Sequence, residues 1–504
     1  MRSLHACPLI LLALLALAPA APAQDQPSRS ERRERSERAA TSSTGPGVLS
    51  LLPADAVSEH QITVDGRPLA YTATAGTLSL YDQNGERSAA VFYTAYVAKG
   101  AAAATRPVTF VFNGGPGAAS AFLHLGLAGP RIVDFGPDGR DGAAAKLKDN
   151  PDTWLAFTDL VMIDPVGTGW SRPAKPDGAA AFKGVRRDAE YLAKVIALYV
   201  AHNSRSASPK YLLGESYGGF RAAKVARALQ SDQGIVVSGI LMVSPLLEAT
   251  FLWGNQQFAL GTALQFPSYV ASELERTNTY TPEAMAEAER FATTEYLTTL
   301  TGPPPTGEQA KEFYGKIARM TGLPYEVVAN ARGHVRGAYG RHLRALGIQI
   351  SSYDASFAIP DPNPDSDFGR ADPILDGFVR ALSGVFVGYA RDELGFKTDM
   401  TYILLSGDAG GWDWGSGRVP PGVSEDLRTQ LSLDPSFRLL VVHGRSDLVT
   451  PYGVSRYLLD RLSQPGAPDR VQFQAYRGGH MFYFDAESRR TFSADAKAFY
   501  QNGP

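Results

Sequence analysis

Apolar and polar residues change rhythm along this chain, and the changes predict its layout. Residues 60–64, 69–74, 76–81 and 89–97 are short alternating or aromatic-rich runs, with Asp-Gly and Asn-Gly among their breaks. That pattern predicts antiparallel hairpins. The run at 108–112 is instead continuously β-branched and aromatic, as in a strand buried on both faces, and 159–164, 211–213 and 236–243 are further strand-like runs. Helical spacing appears between them, at 188–201 (Leu192, Val195, Ile196, Tyr199) and in the Ala-rich run 220–229. Strand and helix in alternation predict an α/β fold with a mostly parallel central sheet and helices on both faces. From about 248 this rhythm stops. Residues 248–420 hold helical patches (282–300, 307–321, 374–389), proline-rich joints (303–305, 360–364) and few strand-like runs. A mainly helical cap over the C-terminal strand edge is expected there. Strand-like runs return at 437–442 and 471–476, so the core is expected in two parts, 57–247 and 421–504.

The apolar runs end in loops that carry chemistry. Run 211–213 leads into Gly214-Glu215-Ser216-Tyr217-Gly218 and then the Ala-rich helix. Strand, sharp turn and helix around Gly-x-Ser-x-Gly form a nucleophile elbow, in which a strained serine projects its hydroxyl. A Gly-rich turn with an ordinary helix-capping serine would have the same five residues. Run 108–112 ends in Asn113-Gly114-Gly115-Pro116-Gly117, a glycine pair that lets a backbone N–H approach a ligand. In this topology the amides of Gly115 and Tyr217 would form the oxyanion hole. The run at 437–442 ends near Asp447 and the last run near His480. Asp434 and Asp469 also lie near strand ends, but neither directly follows one. Of the eight histidines only His480 follows the proposed acid. The order Ser216, Asp447, His480 is that of the α/β-hydrolase fold. His480 would take the proton of Ser216, Asp447 would orient the imidazole, and water would resolve an acyl-enzyme.

Composition narrows the options. With 504 residues, 44% hydrophobic and 20% charged, the chain can bury a large core. A net charge of −2 leaves no footprint for nucleic acid and no polybasic membrane patch. No His-Glu-x-x-His is present, and the chemistry calls for no metal and no cofactor. Gly167-Thr168-Gly169 lacks the spacing and lysine of a phosphate loop. Trp412 and Trp414, beside acids, fit either a substrate cleft or a loop packed on the core.

Arg2, the apolar run 9–17 and Ala21-Pro22-Ala23 read as a signal peptide over 1–23, too short for a membrane span. An exported protein, periplasmic or secreted, is expected. The only cysteine, Cys7, would leave with the signal. Residues 24–56 are expected to be a disordered charged leader.

Asn-Gly-Gly-Pro-Gly (113–117), Asp-Pro-Val-Gly-Thr-Gly-Trp-Ser (164–171), Gly-Glu-Ser-Tyr-Gly-Gly (214–219), the Asp447 loop and Gly-Gly-His-Met (478–481) together resemble the serine carboxypeptidases, the S10 peptidases. The resemblance covers roughly residues 60–500 and suggests a bacterial-type exported member. It implies an α/β-hydrolase with a helical cap that removes C-terminal residues, favoured at acid pH. The substrate would be a peptide with a free C-terminus, whose carboxylate Asn113 and a protonated Glu215 would bind. Two members of that network differ here: Val111 stands where the family has tryptophan, and Leu127 where it has glutamate. Ala118 replaces a common cysteine. An esterase or acyltransferase of the same family would share every residue named. A proline iminopeptidase-like aminopeptidase shares the Gly-Gly-Pro-Gly loop, but with His usually in place of Asn113. A non-catalytic binding module would typically have lost Ser216 or His480.

Overall fold

A computed structural model describes residues 47–501, apart from 137–138, 254–257, 367–370, 408–410, 416–419 and 463–467. The proposed signal segment and the leader through residue 46 lie outside the described residues.

The antiparallel runs form β1 (Ala56–Val64), β2 (Arg67–Tyr81) and β3 (Arg87–Ala98). The runs at 69–74 and 76–81 are one strand, because the chain continues extended through Gly76, where a Cβ would collide with the Asp55 carboxylate. That carboxylate accepts the Thr77 amide at 3.0 Å and the Tyr93 hydroxyl at 3.2 Å. The fold therefore includes residues ahead of 57, among them a 3-10 turn at Val48–Leu51 that buries Leu49. The last part of the stretch expected to be leader belongs to the fold.

Next come β4 (Val108–Phe112), the small hairpin of β5 (Arg131–Asp134) and β6 (Lys146–Asp149), β7 (Asp159–Ile163) and β8 (Arg172–Pro173). They are followed by β9 (Lys210–Glu215), β10 (Gly239–Val243), a second small hairpin of β11 (Ile348–Ile350) and β12 (Ala358–Pro360), β13 (Arg438–Gly444) and β14 (Val471–Tyr476). The main sheet runs β1-β2-β3-β7-β4-β9-β10-β13-β14, with β8 beside β3. Its first part is antiparallel, and every pairing from β7 to β14 is parallel. This is the α/β-hydrolase fold, with a mostly parallel central sheet and helices around it.

The strand period of two sorts each buried strand between two cores. Val111, Leu213, Leu241, Val243 and Val442 face one side, where the C-terminal helix Ala486–Gln501 packs with Ala496 and Phe499. Phe110, Phe112, Leu212, Ile240 and Val441 face the other, under α1 (Val185–His202) and α2 (Tyr217–Gln233). Each fully buried large aliphatic contributes roughly 1.5–3 kcal/mol. Doubly covered strands explain why these runs are apolar throughout rather than alternating.

The stretch 248–420 divides in two. Its first half builds a separate core around α3 (Ala259–Arg276), α4 (Pro282–Phe291) and α5 (Gly307–Thr321), from residues such as Phe266, Phe291, Tyr296, Phe313 and Tyr339. Its second half returns to the sheet: Val379, Leu382, Phe386, Phe396 and Tyr402 join the same core as Val111 and Leu213. A helix there, α6 (Ala381–Asp392), sets Phe386 against Phe92 and Tyr389 against Tyr96 of β3, and so covers the sheet face rather than capping it. Among the described residues no helix is long and apolar enough to cross a membrane.

Candidate active site

Parallel strands all present their C-terminal ends on one edge, and here that edge gathers the predicted residues. Ser216 joins β9 to α2 at φ 60° and ψ −126°, a strained conformation for a non-glycine residue. It is held by its amide, which donates to Val243 O at 2.9 Å, and by its carbonyl, which accepts the Leu246 amide at 3.1 Å. Glycines make the tight turn possible. A Cβ on Gly214 would lie 2.0 Å from Gly218 O, and one on Gly114 would lie 2.6 Å from Tyr217 N. Ser216 alone in the stretch 211–220 is partly exposed; its neighbours are all buried.

The Gly114 contact also brings the Asn113–Gly117 loop against the amide of Tyr217. Tyr217 is the first residue of α2, so no carbonyl of its own helix can accept its N–H. Gly115 lies beside it at φ +99°, in the left-handed region, and the Gly115–Pro116 peptide is cis. Beneath the elbow, buried Arg221 ties these parts together. Its Nε donates to Asp188 Oδ2 at 2.6 Å, and its Nη1 donates to the carbonyl of Asn113. Both members of that ion pair are 1% exposed. Trp412 and Trp414 meet the Tyr217 ring edge-on at 5.5 and 5.4 Å, so the tryptophan pair packs around the residue after the nucleophile.

On the loops that follow β13 and β14, Asp447 and His480 are in contact. His480 Nδ1 lies 2.8 Å from Asp447 Oδ2, and both residues are buried. Asp447 also accepts the amides of Val449 (2.8 Å) and Thr450 (3.0 Å) and the Thr450 hydroxyl (2.7 Å). Burial opposes its charge, but His480 and the Thr450 amide outweigh that, and its pKa lies below the ordinary value. Burial likewise opposes charge on His480, yet Asp447 and, behind it, Glu215 raise its pKa. The loop is fixed by the His480 amide donating to Tyr353 O at 2.5 Å and by Ser244 Oγ donating to His480 O at 2.9 Å. The Tyr353 ring stands edge-on to the imidazole at 5.3 Å. Ser216 Oγ itself makes no side-chain hydrogen bond among the described residues, to His480 or to any other group. Such bonds commonly tighten only when substrate binds.

Glu215, the residue before the nucleophile, is 4% exposed. Its Oε2 accepts Asn113 Nδ2 at 2.8 Å and the Tyr483 hydroxyl at 2.6 Å. The Asn113 amide is oriented by the Leu123 N–H, which donates to its Oδ1 at 3.1 Å. Burial, only partly offset by His480, Tyr483 and Asn113, pushes the Glu215 pKa up to about 7. Val111 and Leu127 are both fully buried in the apolar core.

The other core histidines are spoken for. His124 Nε2 lies 2.6 Å from the Tyr96 hydroxyl, and burial takes its pKa down to about 3. His443 Nε2 lies 2.8 Å from Ser455 Oγ. Asp434 and Asp469 make local loop and backbone contacts, away from His480. Three residues close to the machinery escape sequence reasoning. Thr450 and Tyr483 lie within three residues of Asp447 and His480, a weak signal, whereas Tyr353 comes from a distant segment and has none.

A serine at a nucleophile elbow, a His–Asp pair and the α/β-hydrolase fold support a hydrolase. Comparison with known proteins narrows this: the serine carboxypeptidase (peptidase S10) family model matches residues 68–250. "Serine carboxypeptidase-like 42" of Arabidopsis thaliana is 25% identical over 215 residues, 38% of this chain and 44% of that protein. "Serine carboxypeptidase-like 51" of the same plant is 30% identical over 159 residues, 29% of this chain and 32% of that protein. The "Retinoid-inducible serine carboxypeptidase" of Rattus norvegicus is 28% identical over 165 residues, 31% of this chain and 33% of that protein. Each match spans less than half the length of the relative. Among solved structures, VinJ is similar at 14% identity and TM-score 0.37, over 85% of this chain and 99% of that one. These sequence matches support the serine carboxypeptidase family.

Proposed function

We propose that the protein is an exported serine carboxypeptidase that releases C-terminal residues from peptides and is favoured at acid pH. The observation that carries the reading is Glu215. A buried carboxyl with its pKa near 7 sits next to the nucleophile, with both of its hydrogen-bonding neighbours on one oxygen. Below neutrality it is a neutral acid that can donate to a substrate's terminal carboxylate, and Asn113 stands beside it. A carboxylate there would repel that substrate.

Ser216 Oγ gives its proton to His480 Nε2 and attacks the carbonyl of the last peptide bond. The oxyanion is held by the amides of Gly115 and Tyr217. As the C–N bond breaks, His480 passes the proton to the leaving amine and the terminal amino acid departs. The remaining acyl-enzyme is hydrolysed by water, whose proton His480 takes and returns to Ser216. Asp447 holds the imidazole and stabilises its charged form. Protonating Glu215 removes one of the negative charges that raise the His480 pKa. The acid that binds the carboxylate therefore also favours the neutral base. The export signal at 1–23 is the sequence's contribution to this reading.

The test uses a blocked dipeptide with a free C-terminal carboxylate beside its amidated and esterified twins, from pH 4 to 8. The expected result is release of the last residue from the free acid in preference to the amide, strongest below pH 7, and its loss in Ser216→Ala. Cleavage of the ester with indifference to the free carboxylate would replace the exopeptidase with an esterase. Equal rates for Ser216→Ala and wild type would remove the elbow from the mechanism.

A further inference from the structure

The carboxyl of Glu215 has two oxygens, and the fold treats them differently. Asn113 Nδ2 and the Tyr483 hydroxyl both donate to Oε2, at 2.8 and 2.6 Å. Oε1 takes no hydrogen bond among the described residues. We propose that Tyr483 is a positioning residue: by sharing Oε2 with Asn113 it locks the carboxyl so that the acidic proton resides on Oε1, aimed at the substrate's C-terminal carboxylate. The inference rests on the carboxypeptidase reading and gives that site its direction.

The lock follows from donor counting. While Oε2 accepts both the Asn113 N–H and the Tyr483 O–H, it has no room for a proton of its own, and a neutral Glu215 carries its hydrogen on the other oxygen. The Asn113 amide cannot flip to reverse this, because Leu123 N–H holds its Oδ1. Nor does Tyr483 act as a base, since burial and the Glu215 charge keep its phenol protonated.

The surroundings are built for this reach. Tyr483 is fully buried, three residues after His480. Its ring lies over Gly126, where a Cβ would come within 2.6 Å of Cε2, and Phe484 packs beside it at 5.0 Å. Next to Gly126, Leu127 is buried and apolar, so no second carboxyl approaches from that helical segment. The charged or titratable groups facing Glu215 are His480, Asp447, Tyr483 and Tyr353.

The test compares wild type, Tyr483→Phe and Glu215→Gln on the free-acid dipeptide and on its ester, which lacks the carboxylate. Tyr483→Phe is expected to raise KM for the free acid at pH 5 by about three- to ten-fold, with kcat and ester hydrolysis little changed. Removing a donor to the charged form also raises the Glu215 pKa. The alkaline rise in KM should therefore begin about half a unit to one unit higher. Gly126→Ala, which displaces the ring, is a second route to the same phenotype, and circular dichroism checks that each variant folds. A KM–pH curve for Tyr483→Phe that superimposes on wild type, while Glu215→Gln flattens its own, would overturn the proposal.

A substrate-free readout separates this outcome from failure of the carboxypeptidase reading. The infrared carbonyl band of protonated Glu215 is identified by its disappearance in Glu215→Gln. Its titration midpoint should rise in Tyr483→Phe whether or not the wild type prefers a free C-terminus. An unchanged midpoint and frequency would remove Tyr483 from the site.

Discussion

Asp447 and Glu215 are both buried carboxyls in one site, 0% and 4% exposed, yet the fold drives them in opposite directions. Asp447 receives two amides, a hydroxyl and the imidazole across both oxygens, and its pKa falls. Glu215 receives two neutral donors on a single oxygen, and its pKa rises to about 7. Burial is common to both, so burial does not decide. What decides is how many donors reach the anion and whether one can become a cation. The Asp447 side of the site is thus built to keep a charge, and the Glu215 side to keep a proton.

The strongest way to break this contrast is to remove the charge from the Asp447 side. Asp447→Asn keeps the shape but loses the anion and the correct tautomer of His480. It should lower kcat by about 10⁴-fold, for peptide and ester substrates alike, in steady-state assays. A loss confined to peptides would mean that Asp447 serves substrate binding instead.

The Glu215 side depends on an anchor outside the site. Arg221 holds the Asn113 carbonyl and pairs with Asp188 in the interior. Arg221→Met strands that carboxylate and should cost about 3–5 kcal/mol of stability, read by urea or thermal unfolding. A cost below ~1 kcal/mol would show that the elbow and the Asn113 loop stand without it.

The smallest effect is the most specific. Because the Glu215 pKa is raised on folding, the native state binds more protons than the unfolded chain between roughly pH 4.5 and 7, and stability falls as pH rises through that window. Glu215→Gln mimics the protonated acid, with one acceptor and a donor in place of Oε1. It should match wild type near pH 4.5 and gain on the order of 2–3 kcal/mol over it by pH 8. Parallel unfolding curves at both pH values would mean that Glu215 stays charged, and the contrast with Asp447 would fail.

Much of this was legible from residue order. Val108–Phe112 and Gly239–Val243 are runs whose apolar content reflects burial on both faces, a local property. Ser216 stands in a motif whose first glycine is required by the turn itself, since a Cβ on Gly214 would lie 2.0 Å from Gly218 O, so spacing points to it. Asp447 and His480 could be ordered along the chain because the fold puts each at a strand end. Helix Ala259–Arg276 was less visible, since Pro267 sits inside it and its buried stretch, 261–272, includes the polar Thr262, Gln265, Ser268 and Ser272.

The sequence by itself determined which residues could carry chemistry, because the candidate nucleophile, acid, base and oxyanion loop are encoded in short motifs at strand ends. Only the tertiary structure decided how the two carboxyls behave. Thr450 donating to Asp447, Tyr483 donating to Glu215 and Tyr353 against His480 set charge and orientation. It likewise decided that half of the stretch 248–420 caps the molecule and half covers the sheet. Motifs are set by contacts along the backbone. Protonation and packing are set by whichever side chains arrive through space.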